Sequence, residues 1–278
     1  MLRIEPLGDD DLAPAMALST QAGWNQCPAD WERLFELAPD GCFGGYVDGE
    51  LVATTTVLTF DRAVAWIGMV LVAQPHRQQG FGSTLFERGL SYAREQAAAV
   101  GLDATTAGRG LYERQGFRDT HTVERWAGLP TAGATNTVTI EPATEIAPVI
   151  DCDRTAVGPN RTALLNSIFE AHETTVLLAG TQTNPLGYVM VRPGRQASQI
   201  GPLVAPDAST ASALLGAVGH HTAVGDCLLD VIASEHTNDL LRAHGFERQR
   251  VLTRMTHESD DPLLSDPHVW AIADFALG

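Results

Sequence analysis

Residues 66–94 read WIGMVLVAQPHRQQGFGSTLFERGLSYAR, and the fold turns on how this stretch is punctuated. Segment 67–73 is apolar, with Ile67, Val70 and Val72 β-branched, and it is closed by Gln74-Pro75. Its length, its β-branched content and the proline after it predict a buried strand. Beyond His76 the chain runs Arg77-Gln78-Gln79-Gly80-Phe81-Gly82-Ser83-Thr84. Leu85, Phe86, Leu90, Tyr92 and Ala93 then recur at roughly helical spacing, predicting a helix that opens near Gly80 and runs to about Val100. A strand, a glycine-bearing turn and a helix start make a ready anion site, because free backbone N–H groups and the positive helix end converge there. Gly80 and Gly82 let the backbone approach a phosphate without a Cβ in the way. Ser83 and Thr84 offer hydroxyl donors, and Arg77 offers charge.

Spacing separates the nucleotide-binding folds. A Walker loop needs Gly-Lys-Ser/Thr, and the chain contains no lysine. A dinucleotide fingerprint needs G-x-G-x-x-G, and Gly80-x-Gly82 lacks the third glycine. What remains is R-x-x-G-x-G, from Arg77 to Gly82, directly after a strand. A second pattern, L-Y-x-x-x-G-F, spans Leu111 to Phe117, with Gly116 fitting a helix stop. The pair resembles the two signatures of the GNAT superfamily of N-acetyltransferases. The predicted order of residues 1–128, β-α-α-β-β-β-α-β-α-β, is also that of the superfamily. The Asp48-Gly49 turn between its second and third strands is a strong hairpin signal.

A small, polar, turn-rich stretch at 129–136 reads as a linker. Beyond it, residues 137–278 look like a worn copy. Ile200-Gly201-Pro202-Leu203-Val204 echoes Ile67-Gly68-Met69-Val70-Leu71, Leu228-Leu229-Asp230-Val231 echoes Gly101-Leu102-Asp103-Ala104, and residues 240–246 echo 111–117. Repetition at domain length predicts two related domains in tandem, an α/β architecture with a mixed sheet in each. The copy lacks the chemistry-bearing parts: Ala208-Ser209-Thr210-Ala211 stands where R-x-x-G-x-G belongs, and Leu241 replaces Tyr112. The second domain is therefore expected to be degenerate, packing on the first. The apolar C-terminal stretch 270–278 is expected to be docked.

Composition narrows the partners. A net charge of -16 is the wrong sign for a nucleic-acid surface and disfavours anionic membranes. All 18 cations are arginine; with the acid excess, this favours a high-salt proteome over codon bias alone. Cys27, Cys42, Cys152 and Cys227 show no metal spacing and read as reduced structural thiols. Asp9, Asp10 and Asp11 argue against a signal peptide, no apolar run approaches the length of a membrane span, and a cytoplasmic monomer or homodimer is expected. His220-His221, His236 and His244 lack companion acids at ligand spacing, so no metal is expected.

The resemblance implies acetyl transfer from acetyl-CoA to a primary amine of a small molecule or peptide, by direct attack. It implies that backbone groups of the central strand, at Val70, Leu71 and Val72, hold the pantetheine and the thioester carbonyl. It places the pyrophosphate on the amides of Arg77, Gln78, Gln79, Gly80, Phe81, Gly82, Ser83 and Thr84. It makes Tyr112 the proton donor to the thiolate, a phenol of ordinary pKa about 10 facing a thiol of about 8.5. It puts Trp24 and Asn25 in the acceptor region, although core packing suits the tryptophans at 24 and 31 equally well. A base for the amine is not fixed: Asp30, Glu32, Asp103 and His121 qualify by residue type only, and water would serve. The rival reading is a binding module of the same fold that senses acyl-CoA or an amine without turnover.

Overall fold

The computed structural model describes residues 1–131, 138–221, 225–261 and 263–278. The first half runs β1 (Arg3–Pro6), α1 (Leu12–Gln21), α2 (Pro28–Leu37), β2 (Cys42–Val47), β3 (Glu50–Phe60), β4 (Val64–Val72), α3 (Phe81–Gln96), β5 (Ala99–Ala104), α4 (Thr106–Arg114) and β6 (Phe117–Gly128). The second half repeats that order: β7 (Ile140–Pro142), α5 (Ala147–Val157), α6 (Thr162–Phe169), β8 (Thr175–Thr181), β9 (Asn184–Arg192), β10 (Ser198–Val204), α7 (Ala208–His221), β11 (Cys227–Ile232), α8 (Glu235–Ala243) and β12 (Glu247–His257). A short β13 (Val269–Ala271) follows. Residues 132–136 of the expected linker lie outside the described residues, as do the side chains of His220 and His221. Among the described residues no helix is long and apolar enough to cross a membrane.

One mixed sheet carries both halves, in the order β1-β2-β3-β4-β5-β12-β6-β11-β10-β9-β8-β7, with β13 pairing β10 off this path. β4 and β5 are parallel, as are β10 and β11; the remaining neighbours are antiparallel. The halves exchange their last long strands. β12 slots between β5 and β6, and β6 slots between β12 and β11. Each half thus completes its sheet with a strand from the other.

Helices cover both faces. On one face α1, α2, α5 and α6 share a single core with the C-terminal tail, built on Trp31, Leu34, Trp66, Leu164, Ile168 and Tyr188. On the other face α3 and α4 pack a core through Leu85, Phe86 and Tyr112, while α7 and α8 pack another through Leu214, Leu215 and Leu241. Fully burying a side chain of this size contributes about 1.5–3 kcal/mol. Trp31 is wholly inside and its indole N–H donates to Ser19 Oγ at 3.2 Å, so it is a core residue.

Helix α3 ends earlier than its alanine-rich tail suggested. The amides of Ala98 and Ala99 donate to Arg62 O and Ala63 O at 2.9 and 3.0 Å, starting β5 where helical periodicity had continued. Tertiary pairing overrides alanine's helix preference here.

Candidate active site

The centre of the first half is a break in β4. Thr54 of β3 pairs with Leu71 and Thr56 with Gly68, so Met69 and Val70 together face one residue, Thr55. Met69 takes φ 48°, left-handed for a side chain with a Cβ, and its carbonyl accepts a 2.7 Å hydrogen bond from Thr54 Oγ1. β4 pairs with β5 only from Val64 to Trp66; past the bulge the strands part. Val70 and Val72 are half-buried at the rim of this gap, with Leu71 buried between them.

At the end of β4 the chain turns through Gln78 (φ 62°) and Gly80 (φ 84°) into α3. The first helical amide to bond back is Thr84 N, to Gly80 O at 3.1 Å. The amides of Gln78, Phe81, Gly82 and Ser83 find no acceptor among the described residues. Arg77 braces the turn, its Nε donating to Val72 O at 3.1 Å, and Gln79 Nε2 does likewise to Pro75 O at 3.2 Å. His76 stacks against Phe81, ring centroids 6.1 Å apart. A Cβ at Gly80 would meet nothing, so this glycine is there for its positive φ; a Cβ at Gly82 would press on Val72 Cγ2 at 3.3 Å. The result is a cluster of outward N–H groups at a helix start, suited to a diphosphate.

A cleft opens at the parting of β4 and β5. Its walls include Gly68, Met69 and Val70 of β4, Tyr112 of α4, Trp24 and Gln26 of the α1–α2 loop, and Phe275 and Ala276 of the tail. Tyr112 packs on Phe86, centroids 4.7 Å apart, and its hydroxyl has no hydrogen-bond partner among the described residues. Burial pushes this phenol above its ordinary range, so it keeps its proton at neutral pH. Gln26 is 8% exposed, and its Oε1 is buried with no hydrogen-bond partner among the described residues. Sequence reading passed over Gln26; only the loop's path shows that it faces the cleft.

The polar floor of the cleft repeats one ion pair twice. Asp103 of β5 takes two hydrogen bonds, at 2.9 and 2.8 Å, from Arg254 of β12. Asp230 of β11 takes two, at 2.7 and 2.6 Å, from Arg125 of β6. The aspartates occupy matching places in the two halves, and each arginine arrives on the exchanged strand. Arg254 lies 4.4 Å from the Trp66 ring centroid and Arg125 4.7 Å from that of Phe275. Burial pushes the Asp103 carboxyl up, against the pull of Arg254.

The other sequence candidates separate. Trp24 lines the cleft, whereas Asn25 does not: its Oδ1 accepts from the amides of Gln196 and Ala197, and its Nδ2 donates to Ala197 O at 2.9 Å. Asn25 therefore pins the α1–α2 loop to the second half. Asp30 is buried against Arg33 and Arg192 and caps α2, unable to reach a substrate amine. Glu32 is exposed on α2, and His121 sits beside Arg254 on β6, its pKa lowered by burial and by that cation. Burial raises the thiols of Cys42 to about 12 and of Cys152 and Cys227 to about 11, which keeps them protonated. Among the described residues no group of three His, Cys, Asp or Glu is placed to hold a metal ion.

The matching gap in the second half is filled by the chain itself. β10 and β11 pair only from Ser198 to Ile200, then β13 pairs with β10 at Leu203 and Val204, and Ile272 N donates to Asp230 O at 2.8 Å. α7 starts without a glycine turn, Asp207 Oδ1 accepting from Thr210 N at 2.8 Å. The tail continues to the first half, where Trp66 Nε1 donates to Phe275 O at 3.0 Å.

Comparison with known proteins agrees with this geometry. A model described as the acetyltransferase (GNAT) family matches residues 11–117, and one described as an acetyltransferase (GNAT) domain matches residues 149–271. An uncharacterized N-acetyltransferase, YitH, of Bacillus subtilis is 24% identical, over 98% of this chain and 97% of its own. A holothin acyltransferase of a Pseudoalteromonas species is 26% identical, over 92% of this chain and 87% of its own. Among solved structures, a putative acetyltransferase from Pyrococcus horikoshii superposes with a TM-score of 0.86 at 21% identity, over 100% of this chain and 96% of that one. A tandem GNAT protein from the clavulanic acid biosynthesis pathway superposes with a TM-score of 0.62 at 13% identity, over 94% and 100%. With both halves matched, in order, by models of one family and folded alike, the chain belongs to the GNAT acetyltransferase family as a tandem-domain member.

Proposed function

We propose that the first half transfers an acyl group, acetyl in the first instance, from acyl-CoA to a primary amine. The observation that carries this reading is the convergence, around the end of β4, of three features. The outward amides of residues 78–83 suit the pyrophosphate. The edge of β4 that β5 leaves free past the bulge suits the pantetheine and the thioester carbonyl. The hydroxyl of Tyr112 faces the same cleft, without a partner among the described residues. As the amine attacks the carbonyl and the C–S bond breaks, Tyr112, held protonated by burial, gives its proton to the departing thiolate, and the proton lost by the amine nitrogen passes to water and restores the phenol. Gln26 Oε1 is an acceptor for an amine N–H, and Trp24 and Phe275 supply apolar walls. Asn25 acts at one remove, by fixing the loop that carries Trp24 and Gln26.

The second half contributes structure. With β13 in the gap between β10 and β11, the place where a pantetheine would lie there is taken. Thiol release from acetyl-CoA with a panel of primary amines tests the reading, alongside acyl-CoA binding to wild type and Gly82→Glu. Turnover with at least one amine, and binding lost in the variant, are expected. Equal affinity in Gly82→Glu would move the phosphate site elsewhere, and binding without turnover across a broad panel would leave a sensor.

A further inference from the structure

The floor of the cleft carries an uncompensated positive charge. Three strands lay charged residues side by side: Asp230 on β11 faces Arg125 on β6, and Arg125 faces Arg250 on β12. Like charges directly opposite on a sheet repel. The carboxylate the two cations share is committed, Asp230 binding Nε and Nη2 of Arg125, and Asp274, which also acts on Arg125, is paired with Arg192. Arg125 Nη1 makes no hydrogen bond among the described residues, and the whole guanidinium of Arg250 makes none. Arg250 is exposed and has no ion-pair partner among the described residues either; desolvation and Arg125 beside it press on its charge, against a pull from Asp230. Asp103, the remaining charged wall residue, is neutralised by Arg254. In a chain of net charge -16, a guanidinium pair with spare N–H groups lining the cleft that also holds Tyr112 is a specific local exception.

We propose that this pair receives a carboxylate, so that the reaction joins partners of which one is anionic at that end. The inference rests on the acyl-transfer reading for which end is which, and it deepens that reading by naming a substrate class. Guanidinium N–H groups match a carboxylate's two oxygens in a plane, and the burial of Arg125, beside the exposed Arg250, strengthens the pairing on its side. The source is either the acceptor, an amino-acid-like or peptide-terminal amine, or the donor, a dicarboxylic acyl-CoA. Gln26 Oε1 in the same wall offers the complementary acceptor for an amine N–H.

The test uses the full chain and matched substrates. Amines bearing a free carboxylate are compared with their carboxamides, using acetyl-CoA; succinyl-CoA is compared with butyryl-CoA, using one neutral amine. In the arm that holds the source, kcat/KM should favour the carboxylate at least about ten-fold, since a guanidinium left facing a neutral isostere goes unpaired. Arg250→Gln should remove that preference, and Arg250→Lys should restore part of it. Equilibrium binding of the same amines and acyl-CoAs is measured in parallel. Carboxylate-selective, Arg250-dependent binding without any turnover sustains the anion site and sinks the catalytic reading. Turnover that treats carboxylate and carboxamide, and succinyl and butyryl, alike in wild type overturns the anion site and leaves the catalytic reading standing. Absence of both turnover and carboxylate-selective binding overturns both.

Discussion

Tyr112 packs its ring on Phe86 and Phe117 and leaves only its hydroxyl to the cleft. Tyr112→Phe keeps that packing and removes the proton. Turnover should fall by roughly 10²-fold or more, the range of general acid catalysis, while acyl-CoA affinity stays put. Steady-state rates set against equilibrium binding check this; equal losses in both would make Tyr112 a binding residue. Because burial raises the phenol's pKa, the donor form persists into alkali, and wild-type turnover should show no descending limb from Tyr112 below about pH 10. Asp30 has the opposite sign. Burial alone would raise its carboxyl, but Arg192 and Arg33 outweigh that and hold it below the ordinary value. Its stabilisation is present above the unfolded value near pH 4 and lost as pH falls through the lower folded one. Asp30→Asn should cost about 3 kcal/mol at neutral pH, leaving two buried guanidinium groups facing each other, and should flatten stability against pH in acid. Urea midpoints from pH 2.5 to 7 measure both effects. At this scale the motifs made Tyr112 and the glycine turn readable. Asn25 and Gln26 were not separable, since adjacent polar residues in a loop look alike until the backbone decides which one faces inward.

Two elements shape the cleft, the broken β4 and the C-terminal tail. The apolar run of β4 made the strand legible, but its bulge was hidden. Nothing in Gly-Met-Val announces a left-handed methionine, which the Thr54 hydroxyl and the parting of β5 stabilise from elsewhere. The apolar tail was legible as docked, and its two roles were not. It closes the second half's gap as β13, then walls the first half's cleft with Phe275 and Ala276. Gly68 is where tail and strand touch: a Cβ there would stand 2.8 Å from Ala276 O and 3.1 Å from its Cα. Backbone cannot rotate aside as a side chain would, so Gly68→Ala should destabilise by about 1–3 kcal/mol. That corresponds to a loss of roughly 2–10 °C in Tm, read by calorimetry, with Trp66 fluorescence reporting the loosened tail. An unchanged Tm would mean that the tail is free to shift.

At the scale of the molecule, the repeated order of elements could be read from internal echoes, but the exchange of strands could not. A strand's sequence specifies which face is buried, and β6 and β12 would satisfy that pattern beside either half's sheet. A pair of crossed salt bridges accompanies the exchange, Asp103 with Arg254 and Asp230 with Arg125, each joining one half to the other. Separating the halves would strip β5 of its β12 neighbour and β6 of both of its own, and would leave Asp103 and Asp230 buried without their cations. The two halves should therefore unfold as one unit, although the chain is long enough for two domains. Calorimetry of the full chain should give one transition with calorimetric and van't Hoff enthalpies in agreement. Residues 1–128 expressed alone should not give a cooperatively folding monomer, since the unpaired edges of β5 and β6 invite aggregation. Co-expressed with residues 129–278, they should assemble into a heterodimer that binds acyl-CoA with the affinity of the intact chain. Two resolved transitions, or a stable monomeric 1–128 that binds acyl-CoA, would show that the crossed pairs are dispensable.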